Sequence, residues 1–251
     1  MQAQLIFSNQ LGTIDDSKLL TGISLEQKIN SDKDFQIGVC GCAQIKFSTT
    51  IEKRPAVGDT FQLKLKQYYD ADFRTFGPFT VFSSEKNGNK IDVTAYDNIC
   101  KLDKNVDAWL DGLTFPMSLV AFTNSLASYC GVTITLANDL ANRSFQVKDN
   151  FTSINLTGRS VLQYIAQLTT GFAKCNSSGV IQVRKYKAVN KTLNRSLYKK
   201  ATIAEYQTQK IDRVQVNTMN DDIGVVVGSG TNAMVIQNNP LLYAETDQEI
   251  R

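Results

Sequence analysis

The stretch GRSVLQYIAQLTTGFAKCNSSGVIQVRKY, residues 158–186, carries two periodicities in succession. Its first half places Val161, Leu162, Ile165, Ala166 and Leu168/Thr169 at helical spacing, the stripe by which a helix buries one face. Ser160 reads as the N-cap and Gly171 as the stop, so a helix is expected from about Ser160 to Thr170. The second half switches to strands, with Phe172-Ala-Lys-Cys175, a turn at Asn176-Ser-Ser-Gly179, and Val180 onward to Tyr186. A helix that runs straight into a hairpin must pack one on the other to bury both apolar faces, which defines a two-layer α+β unit.

Upstream, Pro116 fits the first position of another helix. Leu119, Phe122, Leu126 and Tyr129/Cys130 follow at near-helical spacing, and Gly131 is placed to end it. Val132-Thr-Ile134 then reads as a strand. The α+β unit is thus expected over 105–199. Before it, residues 1–104 read as strands. Phe35-Gln-Ile37-Gly-Val39 and Ala43-Gln-Ile45-Lys-Phe47 alternate, with Gly38 and Gly41 marking a bulge or bend between them. Phe61-Gln-Leu63-Lys-Leu65-Lys follows the turn at Gly58-Asp59, and Phe79-Thr-Val81-Phe82 follows Gly77-Pro78. Asn87-Gly88-Asn89 is a hairpin signal leading into Ile91-Asp-Val93-Thr-Ala95-Tyr96. This is a small antiparallel barrel or sandwich in outline.

Strands return after the insertion, at Lys210–Val216, Ile223–Val227 and Ala233–Ile236. Each is too short to stand alone. They are expected to complete the first sheet, giving one discontinuous domain over 1–104 and 200–240, with 241–251 a C-terminal tail or the start of a further segment.

Composition narrows the function. The chain has 251 residues, 42% hydrophobic and 20% charged, with 4 Pro, enough for a full core and unlike a disordered chain. The 27 basic and 24 acidic residues leave a net charge of +3, too balanced for the clustered basic footprint of specific nucleic-acid binding. Lys185, Lys187 and Lys191, and Lys199-Lys200, read as solvated faces. No apolar run is long enough for a membrane span, and the first eleven residues do not form a secretory signal. An odd count of 5 cysteines at irregular spacing reads as reduced, buried thiols of a protein made in the cytoplasm.

There is no histidine, which removes the commonest general base and metal ligand and every Ser-His or Cys-His pairing. Cys40-Gly41-Cys42 has the wrong spacing for a zinc knuckle and reads as two core-facing side chains. Asp15-Asp16, Asp70/Asp72 and Asp221-Asp222 lie in turn-like stretches as solvated acids. Gly224–Gly230, GVVVGSG, lacks the Lys-Ser/Thr of a phosphate loop. Asn142, Asn155 and Asn176 head glycosylation triplets that mean nothing without secretion. Trp109 and Tyr68-Tyr69 could stack on sugar rings, the basis of an alternative reading as a carbohydrate-binding or peptidoglycan-active module. Trp109 is better read as a plug at the junction of barrel and insertion. No catalytic, cofactor-binding or metal-binding residue is assigned, and no enzyme activity or cofactor is expected.

Four stretches in order carry a family resemblance: residues 35–47, 90–99, 158–184 and Asn238-Asn239-Pro240-Leu241-Leu242. Together they look like the N-terminal hub region of phage and prophage tail-tip proteins, the baseplate hubs and tail-associated proteins. The resemblance implies a tail-tube-like antiparallel β-barrel interrupted by a small α+β insertion. It also implies a non-enzymatic virion structural protein and a trimer, partnered by a tail-tube or distal-tail protein and a tip or spike protein. The strands counted suffice for about one barrel. Either the chain belongs to a longer protein, or it is a shortened hub that works with a second polypeptide.

Overall fold

The computed structural model describes residues 2–20, 22–27, 36–67, 70–151, 155–187, 211–217 and 223–242. Phe35, Tyr68, Tyr69, Lys191, Lys199, Lys200, Asp221, Asp222 and 243–251 lie outside the described residues.

The chain opens with β1 (Gln2–Phe7), β2 (Thr13–Asp15), β3 (Ser24–Glu26), β4 (Cys40–Gly41), β5 (Gln44–Thr49), β6 (Thr60–Lys66), β7 (Arg74–Asn87) and β8 (Lys90–Asp97). All but β4 join one antiparallel seven-stranded sheet, ordered β2-β1-β6-β7-β8-β5-β3. Period-two alternation decides its inner face. Leu5, Phe7, Ile45, Phe47, Leu63, Ile91, Val93 and Ala95 are buried there around Phe61. The Phe61 ring lies 4.9 Å from Phe7, 5.7 Å from Phe47 and 5.8 Å from Phe79. The Asn87-Gly88 turn joins β7 to β8 as expected, with Gly88 at φ 60. β7 is longer than its apolar core, running through Gly77-Pro78. Its register slips against β8 between Val81 and Ser83, a bulge that bends the strand and leaves Phe82 65% exposed.

The ladder has two ends, β2 and β3. The chain between them lies along β5: Leu20 N–H donates to Ser48 O and Thr50 N–H to Lys18 O, both at 3.0 Å.

The α+β unit begins at a 3-10 turn, Asn98–Leu102, and continues through α1 (Asp107–Asp111), β9 (Met117–Ser118), α2 (Leu119–Cys130), β10 (Ile134–Leu136), β11 (Gln146–Val147), α3 (Gly158–Leu168), β12 (Gly171–Cys175) and β13 (Ile181–Lys185). α2 ends where expected, Gly131 taking the left-handed conformation at φ 65. Its start is later than Pro116 implied: Ser118 is the cap, and 117–118 pair with β11. For α3 the cap is Thr157, whose Oγ1 accepts from Ser160 N, in place of Ser160 itself. Its stop is Thr170 at φ 52, because Gly171 is already in β12. No Cβ would fit at Gly171, whose position lies 2.7 Å from Arg184 O.

Two expectations about strand placement fail. Cys40–Gly41 does not join the N-terminal sheet. It runs parallel to β12, at the end of the four-stranded sheet β10-β13-β12-β4. The late strands β14 (Arg213–Asn217), β15 (Ile223–Gly228) and β16 (Ala233–Ile236) do not complete the first sheet either. They form their own sheet, β15-β14-β16. The reason is packing: Val216, Ile236, Leu241 and Leu242 are buried in the core built by α2 and α3. Alternation fixes which side chains are buried but not which apolar face they meet.

Candidate functional site

The chain passes from the seven-stranded sheet into the α+β unit at Asp97, which is 2% exposed. Its Oδ2 accepts from Ala43 N and its Oδ1 from Ile99 N, each at 2.9 Å, and the Cys42 thiol donates to Oδ1 at 3.3 Å. One carboxylate thereby caps the 3-10 turn and holds the start of β5. Burial pushes its pKa up, against the pull of these hydrogen bonds. Nothing in the sequence reading singled out Asp97. The signal was there: an Asp two residues ahead of a buried Ile, directly after a strand.

Cys40 and Cys42 pack half-buried against the helical core. All five cysteines are free. Burial pushes the Cys40 thiol up to about 12 and Cys175 up to about 11. Cys42 is raised further by burial and then by the Asp97 charge. Thiols held protonated are poor nucleophiles and poor ligands. Among the described residues, no group of three or more Cys, Asp or Glu is placed to hold a metal ion.

A cleft of about 310 Å³ opens beside Asp97. Ala43, Phe79 and Asp97 line it from the seven-stranded sheet, with Leu25 and Gln27 on one side and Phe76 and Gly77 on another. The β12–β13 hairpin covers it with Lys174, Gln182 and Arg184. Lys174 stands directly opposite Gln182, and Arg184 lies two residues along, so the three share one face of the hairpin. The hairpin is pinned at its tip: Asn98 Nδ2 donates to Gly179 O at 2.8 Å, and a Cβ on Gly179 would fall 2.4 Å from Pro78 Cδ. Gln27 Nε2 spans the cleft to Cys175 O at 3.4 Å.

The other residues singled out from sequence have structural work. Trp109 is 7% exposed and donates from Nε1 to Ser125 Oγ at 3.0 Å, its ring 5.2 Å from Phe122. It fills the core of the α+β unit, not the junction with the first sheet, because α1 lies against α2. Asp15 caps a 3-10 turn through Ser17 N, and Asp16 accepts from Ala3 N. Asp70 and Arg74 approach to 3.8 Å at the surface, and Asp72 is exposed. Lys187 pairs with Asp139 at 3.3 Å, and Lys185 is exposed. In the GVVVGSG stretch the glycines answer crowding: Cβ atoms on Gly228 and Gly230 would lie 2.3 Å and 1.9 Å from atoms of Asp212. Asn142 and Asn155 take positive φ in turns, and Asn176 accepts from Ser178 N and Val180 N at the hairpin tip. Val57 and Phe82 are both exposed, next to the Gly58 N–H to Val81 O bond, and the Phe82 ring lies 5.3 Å from Tyr96.

No known protein family matches the sequence, and no curated protein matches it. Solved structures do match. The 43 kDa tail protein of prophage MuSo2 from Shewanella oneidensis superposes with a TM-score of 0.61 at 11% identity, over 100% of this chain and 75% of that one. The tail protein from Neisseria meningitidis MC58 superposes with a TM-score of 0.59 at 10% identity, over 100% of this chain and 74% of that one. The mixed α+β fold is therefore one found in these two tail proteins.

Proposed function

We propose that this chain is a structural, non-enzymatic subunit of a phage or phage-like tail, in the hub or tip region, where it joins the tail tube to the tip or spike. The observation that carries this reading is the likeness of the whole fold, sheet and helical unit together, to two tail proteins, one of them from a prophage. The resemblance of the four sequence stretches, taken in order, points the same way.

The seven-stranded sheet is read as a tail-tube-like barrel. Support comes from the segment that leaves β2 at one end of the ladder and returns against β5 near the other, through the hydrogen bonds of Lys18 and Leu20. The sheet also has a core of its own, which includes Phe61. In this division the barrel takes most of 1–97, and the α+β unit takes the described residues of 98–187 together with Cys40–Gly41 and the three late strands. The partners are further copies of the chain, as a trimer in the full assembly, a tail-tube or distal-tail protein, and a tip or spike protein. Synthesis is placed in the host cytoplasm and the final location in the virion tail. No helix among the described residues is long and apolar enough to cross a membrane.

The test is solution mass by light scattering at several concentrations, followed by pull-down with a tail-tube or distal-tail protein encoded beside it. Self-association or tail-protein binding is expected. A protein that does neither does not serve as a hub.

A further inference from the structure

The cleft beside Asp97 combines features that a mere gap between packing units does not need. Lys174 and Arg184 are the only cations in its lining, and neither side chain has an ion-pair partner among the described residues. Leu25, which is 36% exposed, and Phe76, which is partly buried, line it from β3 and β7. The lining also holds the amide of Gln182, while Gln27 and Asn176 already bond to Cys175 O and to Ser178 N and Val180 N. Asp97, its one carboxylate, has both oxygens committed to Ala43, Ile99 and Cys42. Leu25 lies in β3, the last strand of the ladder, and Gln27 follows it; the outer edge of β3 has no strand partner among the described residues. An open strand edge can hydrogen-bond an extended backbone, while side-chain pockets beside it select the sequence.

We infer that this cleft binds an extended peptide segment of another tail subunit, with a carboxylate against Lys174 and Arg184 and an apolar side chain between Leu25 and Phe76. The charge pattern selects an acidic segment over a basic one. The β3 edge selects a peptide over a small anion. That the segment comes from a tail subunit rests on the proposed function; the acidic-apolar chemistry does not.

The full chain is presented to an array of short random-sequence peptides, alongside the double variant Lys174→Glu/Arg184→Glu and the single variant Leu25→Ser. These side chains are partly or fully exposed, so both variants are expected to fold, which circular dichroism checks. The expected result is enrichment of peptides carrying Asp or Glu next to Leu, Phe or Ile. Their binding should weaken about tenfold or more in the charge-reversed variant and fall as salt is added. Leu25→Ser should relax the apolar preference while keeping the acidic one. No enrichment, enrichment of basic peptides, or unchanged binding to the charge-reversed variant would each overturn the inference. So would a DNA oligonucleotide that displaces the acidic peptides. Acidic-peptide binding without any tail-protein binding would retain the cleft chemistry and remove the tail subunit as its source.

Discussion

The side-chain amide of Asn239 donates to the backbone oxygen of Tyr164 at 3.0 Å, across 75 residues of sequence. The same Nδ2 also reaches Gln167 Oε1 at 3.0 Å, while Oδ1 accepts from Leu241 N. Asn239 is 2% exposed. It therefore fastens the segment after β16 to α3 with both side-chain polar atoms used.

Asn239→Ala is expected to cost about 2–3 kcal/mol, because Leu241 N loses its buried acceptor along with the two bonds to α3. The effect should be local first. Hydrogen exchange in 223–242 is expected to speed up while α2 keeps its protection. Uniform loss of protection across both sheets would contradict this.

Asp97 gives stability a pH dependence with a definite sign. Its folded pKa is raised above the unfolded 3.8, chiefly by burial. The folded state then holds the proton more tightly than the unfolded chain. The contribution is fully present below the unfolded value and is lost as pH rises through the folded one. Asp97→Asn removes this titration. The wild-type minus variant difference in urea stability should therefore decline as pH rises above the unfolded value of about 4. A difference that stays flat or grows across that range would refute the assignment.

The thiols are expected to be slow. With Cys40 raised to about 12 and Cys175 to about 11 by burial, little thiolate exists at mildly alkaline pH. Ellman's reagent should react sluggishly with the folded protein and count all 5 cysteines only after unfolding in guanidinium. Five rapid equivalents in the native state would be the contrary outcome.

Gly179→Ala tests how the hairpin is seated. Gly179 has φ 79, and the new methyl would fall 2.4 Å from Pro78 Cδ. A destabilisation above about 1 kcal/mol is expected, from both the left-handed backbone and the clash. Ser178→Ala, one residue earlier and exposed, should be close to neutral. Equal thermal midpoints for wild type and Gly179→Ala would show that the tip is free to move off Pro78.

What could be read from the sequence was what short-range chemistry dictates. Asn87-Gly88 specifies a hairpin by its own backbone preference, and Gly131 ends α2 by its own freedom at φ 65. Phe61, Leu63 and Leu65 alternate because one face of β6 is buried. The cap of α3 lies three residues before Ser160 because Thr157 and Ser160 are both competent caps, and only the fold shows which one leaves the helix. Partners of strands were not legible. Cys40–Gly41 pairs in parallel with a strand from the far side of the chain, and Val216 and Ile236 look the same whether they cover a barrel or a helix. Asp97 escaped notice for the same reason: its main partner, Ala43 N, is 54 residues away.

The parallel pairing of β4 with β12 also sets an order of events during synthesis. Every strand of the seven-stranded sheet lies at or before Asp97, so that sheet can form while the rest of the chain is still being translated. Cys40–Gly41 sits inside the stretch already made but must wait for Gly171–Cys175 to leave the ribosome. The part of the nascent protein that can fold first thus carries a strand with no partner until Gly171–Cys175 arrives to dock it.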